Sequence, residues 1–232
     1  MIHFLQWVKL EIKFILSRPL NIHTKRMFKM YLDIFDKDPL KGSVNELNPI
    51  DIVLVSGTEE EFIWDDLVYH HHYLGHNKMT GRRMKYLVIY QQRPLAALGF
   101  HSASLKLKSR DQYIGWSAKQ KKQHLKRVIN NNRFVIFPWI KVKNLASYVL
   151  SKTLNILPDD WNDKYNIEPV LVETFVDLSL YDGTCYQAAN WVLLGETKGY
   201  TKKGKTYEYH GNKKAIYVYP LKKNFRKIIG CR

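Results

Sequence analysis

The chain has 232 residues, 45% hydrophobic and 25% charged, which is ordinary for a folded domain and too apolar for a disordered one. Lys and Arg number 37 against 21 Asp and Glu, a net charge of +16 that favours a polyanionic partner, nucleic acid first among them. Two cysteines, Cys185 and Cys231, exclude both a disulfide scaffold and a cysteine-rich zinc module and fit a reducing, cytoplasmic setting.

The first segment places Ile2, Leu5, Val8, Ile12 and Leu16 at helical spacing, with Lys9 and Lys13 on the other side. Such a stripe can lie on a membrane surface, but more often packs on its own domain or on a second subunit, which makes a homodimer through this helix an expectation. It is too short and too charged for stable membrane insertion, and no uninterrupted apolar run of a secretory signal is visible. Residues 1–48 read as an N-terminal helical extension and linker, and 49–232 as one α+β domain. The stretch 36–57, rich in Asp, Pro, Asn, Gly and Ser, reads as a connection with a short strand at Ile52–Val55.

Glu59 to Tyr73 has acids in its first turn and predicts a helix capped by Thr58. Met84–Tyr90 and Pro94–Phe100 are two strands around Gln91-Gln92-Arg93, a hairpin. Ser117–Ile129 follows as a basic helix with Ser117 as its cap. Arg133–Phe137 is a strand, Pro138–Lys143 a loop, Asn144–Leu157 an amphipathic helix and Val170–Val176 a buried-type strand. This βαβ unit matters because ligands sit in the crevice at the ends of such strands. A helix near 184–191 and a strand at Ala215–Tyr219 close the chain. A hairpin ahead of a central βαβ unit makes a mixed sheet of the α+β class. By element order it is similar to the acyl-CoA N-acyltransferase (GNAT-like) core.

Six phrases occur in a familiar order: His71-His-Tyr-Leu-Gly75, Arg110-Asp-Gln-Tyr-Ile-Gly-Trp116, Asn132-Arg-Phe-Val-Ile-Phe-Pro-Trp139, Asn144-Leu-Ala-Ser147, Glu173-Thr-Phe-Val-Asp177, and Gly183-Thr-Cys-Tyr-Gln-Ala-Ala-Asn-Trp191 with Gly195. Together they resemble the DruA-like family, named from the Druantia anti-phage defence system, whose members also occur beside or fused to transposase-type proteins. The resemblance covers roughly residues 50–220. It implies a bacterial defence or mobile-element protein, with other defence or transposition proteins as partners, and supplies no mechanism.

The residues themselves offer several candidates. Lys119, Lys122, Lys126 and Arg127 make the predicted basic helix the best element to lie along a phosphate backbone. From Lys198 to Arg232 there are eleven Lys and Arg against one acid, Glu208. Within that segment Lys202, Lys203 and Lys205 lie among tyrosines that can face unstacked bases. Arg110 can fork onto a phosphate, and Asp111 can serve as a metal ligand or base. Glu173 interrupts an apolar strand, so it needs a partner, for which Arg133 is a candidate, or it becomes an acid or base. Thr184 stands at a predicted helix start that can bind an anion, and Asn190 on the same helix can read a base. Cys185 is either a buried thiol or a thiolate activated at that terminus.

His70, His71, His72 and His76 form the densest polar cluster, and a helix C-terminus accounts for most of it. These residues lead to a first expectation: a DNA-binding component of a defence or transposase-associated system. Its cleft would be lined by His72, Arg110, Asp111, Glu173, Thr184 and Asn190, with Arg133 a further nucleic-acid contact. If that cleft is catalytic, His72, Asp111 and Glu173 would gather a divalent metal for phosphodiester cleavage. The alternative is a GNAT-like acyl or group transferase with Glu173 as general base. Against acyl-CoA stands the loop Pro138–Ser147, which lacks the glycine that lets backbone N–H groups reach a pyrophosphate.

Overall fold

The computed structural model describes residues 37–75, 79, 81–203, 206–209 and 211–231. The predicted helix over 2–16, His76 and Lys205 lie outside the described residues. Seven strands form the main sheet in the order β2-β3-β4-β5-β7-β11-β8. They are β2 (Asp51–Leu54), β3 (Arg83–Tyr90), β4 (Arg93–Ser102), β5 (Val128–Ile136), β7 (Leu171–Asp177), β8 (Val192–Glu196) and β11 (Lys214–Pro220). All neighbours are antiparallel except the central pair β5 and β7. Mixed α+β architecture with a hairpin ahead of a central βαβ unit is therefore what the chain builds, in the element order expected of a GNAT-like core.

The hairpin β3–β4 turns at Gln91 and Gln92, both at positive φ, the primed-turn geometry whose twist matches the strands it joins. Helix α1 (Glu61–His71) starts after Glu60. Thr58 is not its cap, because the Thr58 hydroxyl donates to the Val55 carbonyl. Helix α2 (Lys108–Ile114) was not expected, and ends at Gly115 in the left-handed region. Helix α3 (Ala118–His124) begins in a capping box, with the Ser117 hydroxyl accepting from the Gln120 N–H and the Gln120 side chain from the Ser117 N–H. It is shorter than the predicted 117–129. After a 3₁₀ turn at Leu125–Arg127, the buried β-branched Val128 and Ile129 open β5 opposite Leu171 and Val172.

The expected connection 36–57 also holds ordered structure. Strand β1 (Leu40–Ser43) pairs in parallel with β6 (Ile140–Lys143), inside the predicted loop 138–143, and Val44 and Leu47 are buried. Residues 40–48 therefore pack on the α+β domain. Helix α4 (Leu145–Tyr165) runs past the expected end at Leu157 and through Pro158, because its apolar spacing continues through Leu150, Leu154 and Leu157 to the buried Trp161. Helix α5 (Thr184–Ala188) is one short turn, so Asn190, at positive φ, and the buried Trp191 stand beyond it. Strands β9 (Tyr200–Lys203) and β10 (Thr206–Tyr209) form a hairpin, and α6 (Phe225–Ile228) ends the described chain.

Two cores result. The larger gathers Trp64, Leu67 and Val68 of α1, the apolar stripe of α4 and the inner strands. The smaller joins Ile114 of α2, Val128, Leu171 and Val218 of the sheet, and Phe225 and Ile229 at α6. That second cluster anchors α2 and α6 to the same part of the sheet.

Candidate functional site

The parallel pairing of β5 and β7 begins at Val128/Leu171 and stops at Asn131/Thr174, although the strands continue to Ile136 and Asp177. Beyond that point they part, and a cleft of about 720 Å³ opens at their carboxyl ends, where a βαβ unit places its ligands. The end of α1 closes one side with His72 and Tyr73; Leu180, Tyr181, Gly183 and Thr184 close another. Asn130, Asn131, Asn132 and Thr174 supply a polar floor.

Asn132 is extruded from the ladder by a bulge, since Gly99 pairs with Arg133 while Phe100 pairs with Asn131. Bulges re-aim side chains in this way beside binding sites. A Cβ on Gly99 would lie 2.9 Å from the Trp64 ring and 3.1 Å from the Arg133 Cβ, so the bulge is packed tightly from below. Asn131 is held by bonds to the Gly99 and Arg133 carbonyls and accepts from the Tyr186 hydroxyl at 3.0 Å. Asn130 is 3% exposed. Its amide nitrogen donates to Glu173 at 3.4 Å, while its Oδ1, like Asn132 Oδ1, has no hydrogen-bond partner among the described residues.

At the mouth, Tyr73 and Tyr181 are 40% and 54% exposed and meet edge to face at 5.8 Å. The Lys214 ammonium sits 6.0 Å from the Tyr73 ring, and the His72 imidazole stacks on the same ring at 4.8 Å. Burial, then the nearby Arg133 and Lys214 charges, push the His72 imidazole down to about 4. His72 is thus neutral at pH 7, its Nδ1 accepting from the Leu74 N–H at 3.2 Å. Arg133 does not pair with Glu173. It donates to the Gly75 and Asn132 carbonyls instead.

Glu173 faces a different cluster. Arg110, wholly buried, bonds Glu173 Oε2 at 2.7 Å, the Ser104 carbonyl at 2.9 Å and Asp111 Oδ1 through two nitrogens. The other Glu173 oxygen accepts from the Ser104 N–H at 2.8 Å. Burial raises the proton affinity of Glu173, and the Arg110 charge and these donors pull the other way. Asp111 also accepts from the Trp116 indole and pairs with Lys121 at 2.6 Å.

These contacts correct the expected common cleft. Of the six residues assigned to it, only His72 and Thr184 line it. Asp111 borders a separate surface depression with Trp116 and Lys121. The Arg110 guanidinium lies between Asp111 and Glu173, a cation where a shared metal would have to bind. No group of three His, Cys, Asp or Glu residues among the described ones could hold a metal ion. Both Glu173 oxygens are engaged, so a group-transfer reaction in the cleft would need a different base. The Cys185 thiol is pushed up by burial, which removes the activated-thiolate reading, and its helix is a single turn. The backbone of 140–143, in the loop compared with a pyrophosphate site, is committed to β1.

The basic residues form a separate face. Lys119 and Lys122 of α3 and Lys126 of the next turn are exposed. Helix α6 comes alongside them, with Gln120 donating to the Gly230 carbonyl at 2.5 Å and Arg226 to the Tyr113 carbonyl at 2.6 Å. Lys223, just before α6, and Lys227 on it are exposed as well. None of these five lysines makes an ion pair with a described residue. Arg127, by contrast, is held by Glu168 at 2.9 Å, a carboxylate that also meets Lys222. The sequence pattern could not show that two basic segments a hundred residues apart meet. Lys202 and Lys203 are on β9, away from both clusters in the chain, and Asn190 is exposed outside the cleft lining.

The fold and these two surfaces define a mixed α+β domain with a strand-end cleft and a basic face at the other end of the central strands. The sequence profile described as Druantia protein DruA matches residues 17–205. The chain belongs to the DruA family. No curated protein matches the sequence. Among solved structures, the chain is similar to an N-acetyltransferase from Staphylococcus aureus Mu50 at 12% identity, covering 74% of this chain and 97% of that one with a TM-score of 0.40. It is also similar to an agmatine N-acetyltransferase at 10% identity, with 74% and 99% covered and a TM-score of 0.46. An aminoglycoside acetyltransferase in complex with coenzyme A matches at 12% identity, with 77% and 98% covered and a TM-score of 0.47. No helix among the described residues is long and apolar enough to cross a membrane.

Proposed function

We propose that the protein is a DNA-binding component of an anti-phage defence system and grips the phosphate backbone with the face made by α3, the Leu125–Arg127 turn and α6. Membership of the DruA family supports the defence role. The observation that carries the binding role is the meeting of the α3 and α6 segments across the Gln120–Gly230 and Arg226–Tyr113 contacts, segments that carry Lys119, Lys122, Lys126, Lys223 and Lys227, all exposed and without acidic partners among the described residues. Five ammonium groups on one face gain little from each other and much from a polyanion that releases its counterions on binding. Arg110, Asp111 and Glu173 serve this face from beneath. Their ion-pair chain ends on Lys121 and so fixes α3 to the sheet.

The test is binding of labelled single-stranded and duplex DNA by the full chain across a salt series. The logarithm of affinity is expected to fall linearly with the logarithm of salt, with a slope of about 0.7 to 0.9 per phosphate contact. Lys119/Lys122/Lys126→Ala and Lys223/Lys227→Ala should each make it shallower. An unchanged slope in both variants, or no binding at low salt, overturns the assignment.

A further inference from the structure

The cleft at the ends of β5 and β7 is chemically unlike the basic face. Its mouth is aromatic: Tyr73 and Tyr181 present half-exposed rings 5.8 Å apart, surfaces that a flat ring system would cover with more gain than solvent gives. Its floor carries two acceptors in search of donors, Asn130 Oδ1 and Asn132 Oδ1. The Asn130 assignment follows from its own partner. The amide nitrogen faces the Glu173 carboxylate, which leaves the oxygen as the unpaired atom of a residue that lines the cleft. A buried amide oxygen without a donor is costly, and a ligand N–H would relieve that cost. Lys214 and the buried Arg133 bring positive charge to the same space, whose lining also includes Asp177 and Asp182. Flat ring, amino donor and anionic group are the three parts of a nucleotide whose base carries an exocyclic amine.

We infer that this cleft binds one unstacked, amino-bearing nucleobase with its phosphate, the ring against Tyr73 and Tyr181, the amino group donating to the Asn130 and Asn132 amide oxygens, and the phosphate toward Lys214. The base can come from a free nucleotide or from a strand that gives up one base from its stack. The chemistry is shared, and the volume of about 720 Å³ is within the range of small-molecule sites. The site rests on its own residues and not on the lysine face, because a mononucleotide offers too few charges to be held by counterion release.

The experiment is calorimetric titration of the full chain with dCMP, dUMP, dAMP, dIMP and acetyl-CoA, and with a thymidine hexanucleotide carrying one central cytosine or one abasic site. The amino-bearing nucleotides are expected to bind at least about ten-fold more tightly than their keto counterparts, because the keto forms leave the amide oxygens unpaired. Asn132→Ala should erase that preference. Tyr181→Ala, at an exposed position, should weaken every nucleotide by about ten-fold or more. Tighter binding of the cytosine hexanucleotide than of both dCMP and the abasic hexanucleotide identifies a strand as the source, since the lysine face holds the two hexanucleotides alike; equal binding of the two hexanucleotides, with dCMP bound, identifies a free nucleotide. Equal affinity for dCMP and dUMP, or binding of acetyl-CoA with no nucleotide bound, overturns the inference. Either result leaves the salt-series reading of the lysine face standing, since that test is read with other variants.

Discussion

Arg110→Met is the most informative single substitution, because Arg110 is wholly buried and makes every bond its guanidinium uses inside the protein. Met keeps much of the side-chain volume and removes the charge. It strands Glu173, also wholly buried, with the Ser104 N–H and the Asn130 amide as its remaining donors. Breaking a buried ion pair from one side costs about 3 to 5 kcal/mol, a large share of the roughly 5 to 15 kcal/mol that holds a domain together. In a domain of this size each kcal/mol moves the melting temperature by about 2 to 4 °C, so a drop of about 6 to 20 °C is expected, with a matching fall in the urea midpoint. The deficit should shrink as pH falls toward the ordinary carboxyl value of about 4.3, because a protonated Glu173 no longer needs the cation. Arg110→Met/Glu173→Leu should recover much of the loss, since neither charge is then buried alone. A single variant that costs under about 1 kcal/mol, or a double variant that costs the sum of its singles, refutes the account.

Two further outcomes follow from the cleft. Folding holds the His72 imidazole at about 4 against about 6.5 in the unfolded chain, so the folded state binds its proton less readily. The stability this protects is complete above the unfolded value and is lost as pH falls from about 6.5 toward 4, by about 2 kcal/mol after allowance for solvent screening. Denaturant titrations of His72→Gln should lack that part of the pH dependence, and an unchanged profile refutes the assignment. Gly183 has φ +73, and a Cβ there would lie 2.7 Å from the Tyr217 hydroxyl, so Gly183→Ala should cost about 1 to 3 kcal/mol; a melting temperature equal to that of the unaltered protein would show that the turn adapts.

How much was legible depended on the range of the interaction. Period-two and period-3.6 patterns placed the hairpin, the central strands and α4, because one buried face imposes them locally. The crevice at the ends of β5 and β7 followed from the crossover alone. Strand β6 and helix α2 were hidden: Ile140–Lys143 becomes a strand only because β1, a hundred residues earlier, pairs with it. The sequence marks Glu173 as a buried carboxylate in need of a partner and offers Arg133 for it, whereas the actual cation, Arg110, arrives on a helix that the pattern does not reveal. A signal for it did exist in the adjacent Arg110-Asp111, a pair with opposite charges ahead of an apolar Ile114. The polar triplet Asn130-Asn131-Asn132 carries a further signal, because three amides at the head of a buried strand must be satisfied from somewhere.

The two surfaces stand at opposite ends of the central strands, and that separation has a measurable consequence. From Lys126 to the Asn130 and Asn132 floor is four to six residues, at about 3.3 Å each roughly 13 to 20 Å, the length of about four to six steps of a DNA strand at 3.4 Å. If one strand is gripped by the lysine face and also places a base in the cleft, only an oligonucleotide long enough to reach both gains from the second contact, which then acts at a high effective concentration. Affinity should therefore be nearly flat among oligonucleotides too short to bridge and should step upward by about ten-fold or more once the length passes roughly six nucleotides plus the few needed to round the edge of the sheet. Tyr181→Ala and Lys223/Lys227→Ala should each abolish the step, by opposite routes: the first leaves the salt slope of the long strand close to that of a short one, the second lowers it. A smooth rise with length, unaffected by Tyr181→Ala, would mean that the cleft and the lysine face serve different ligands.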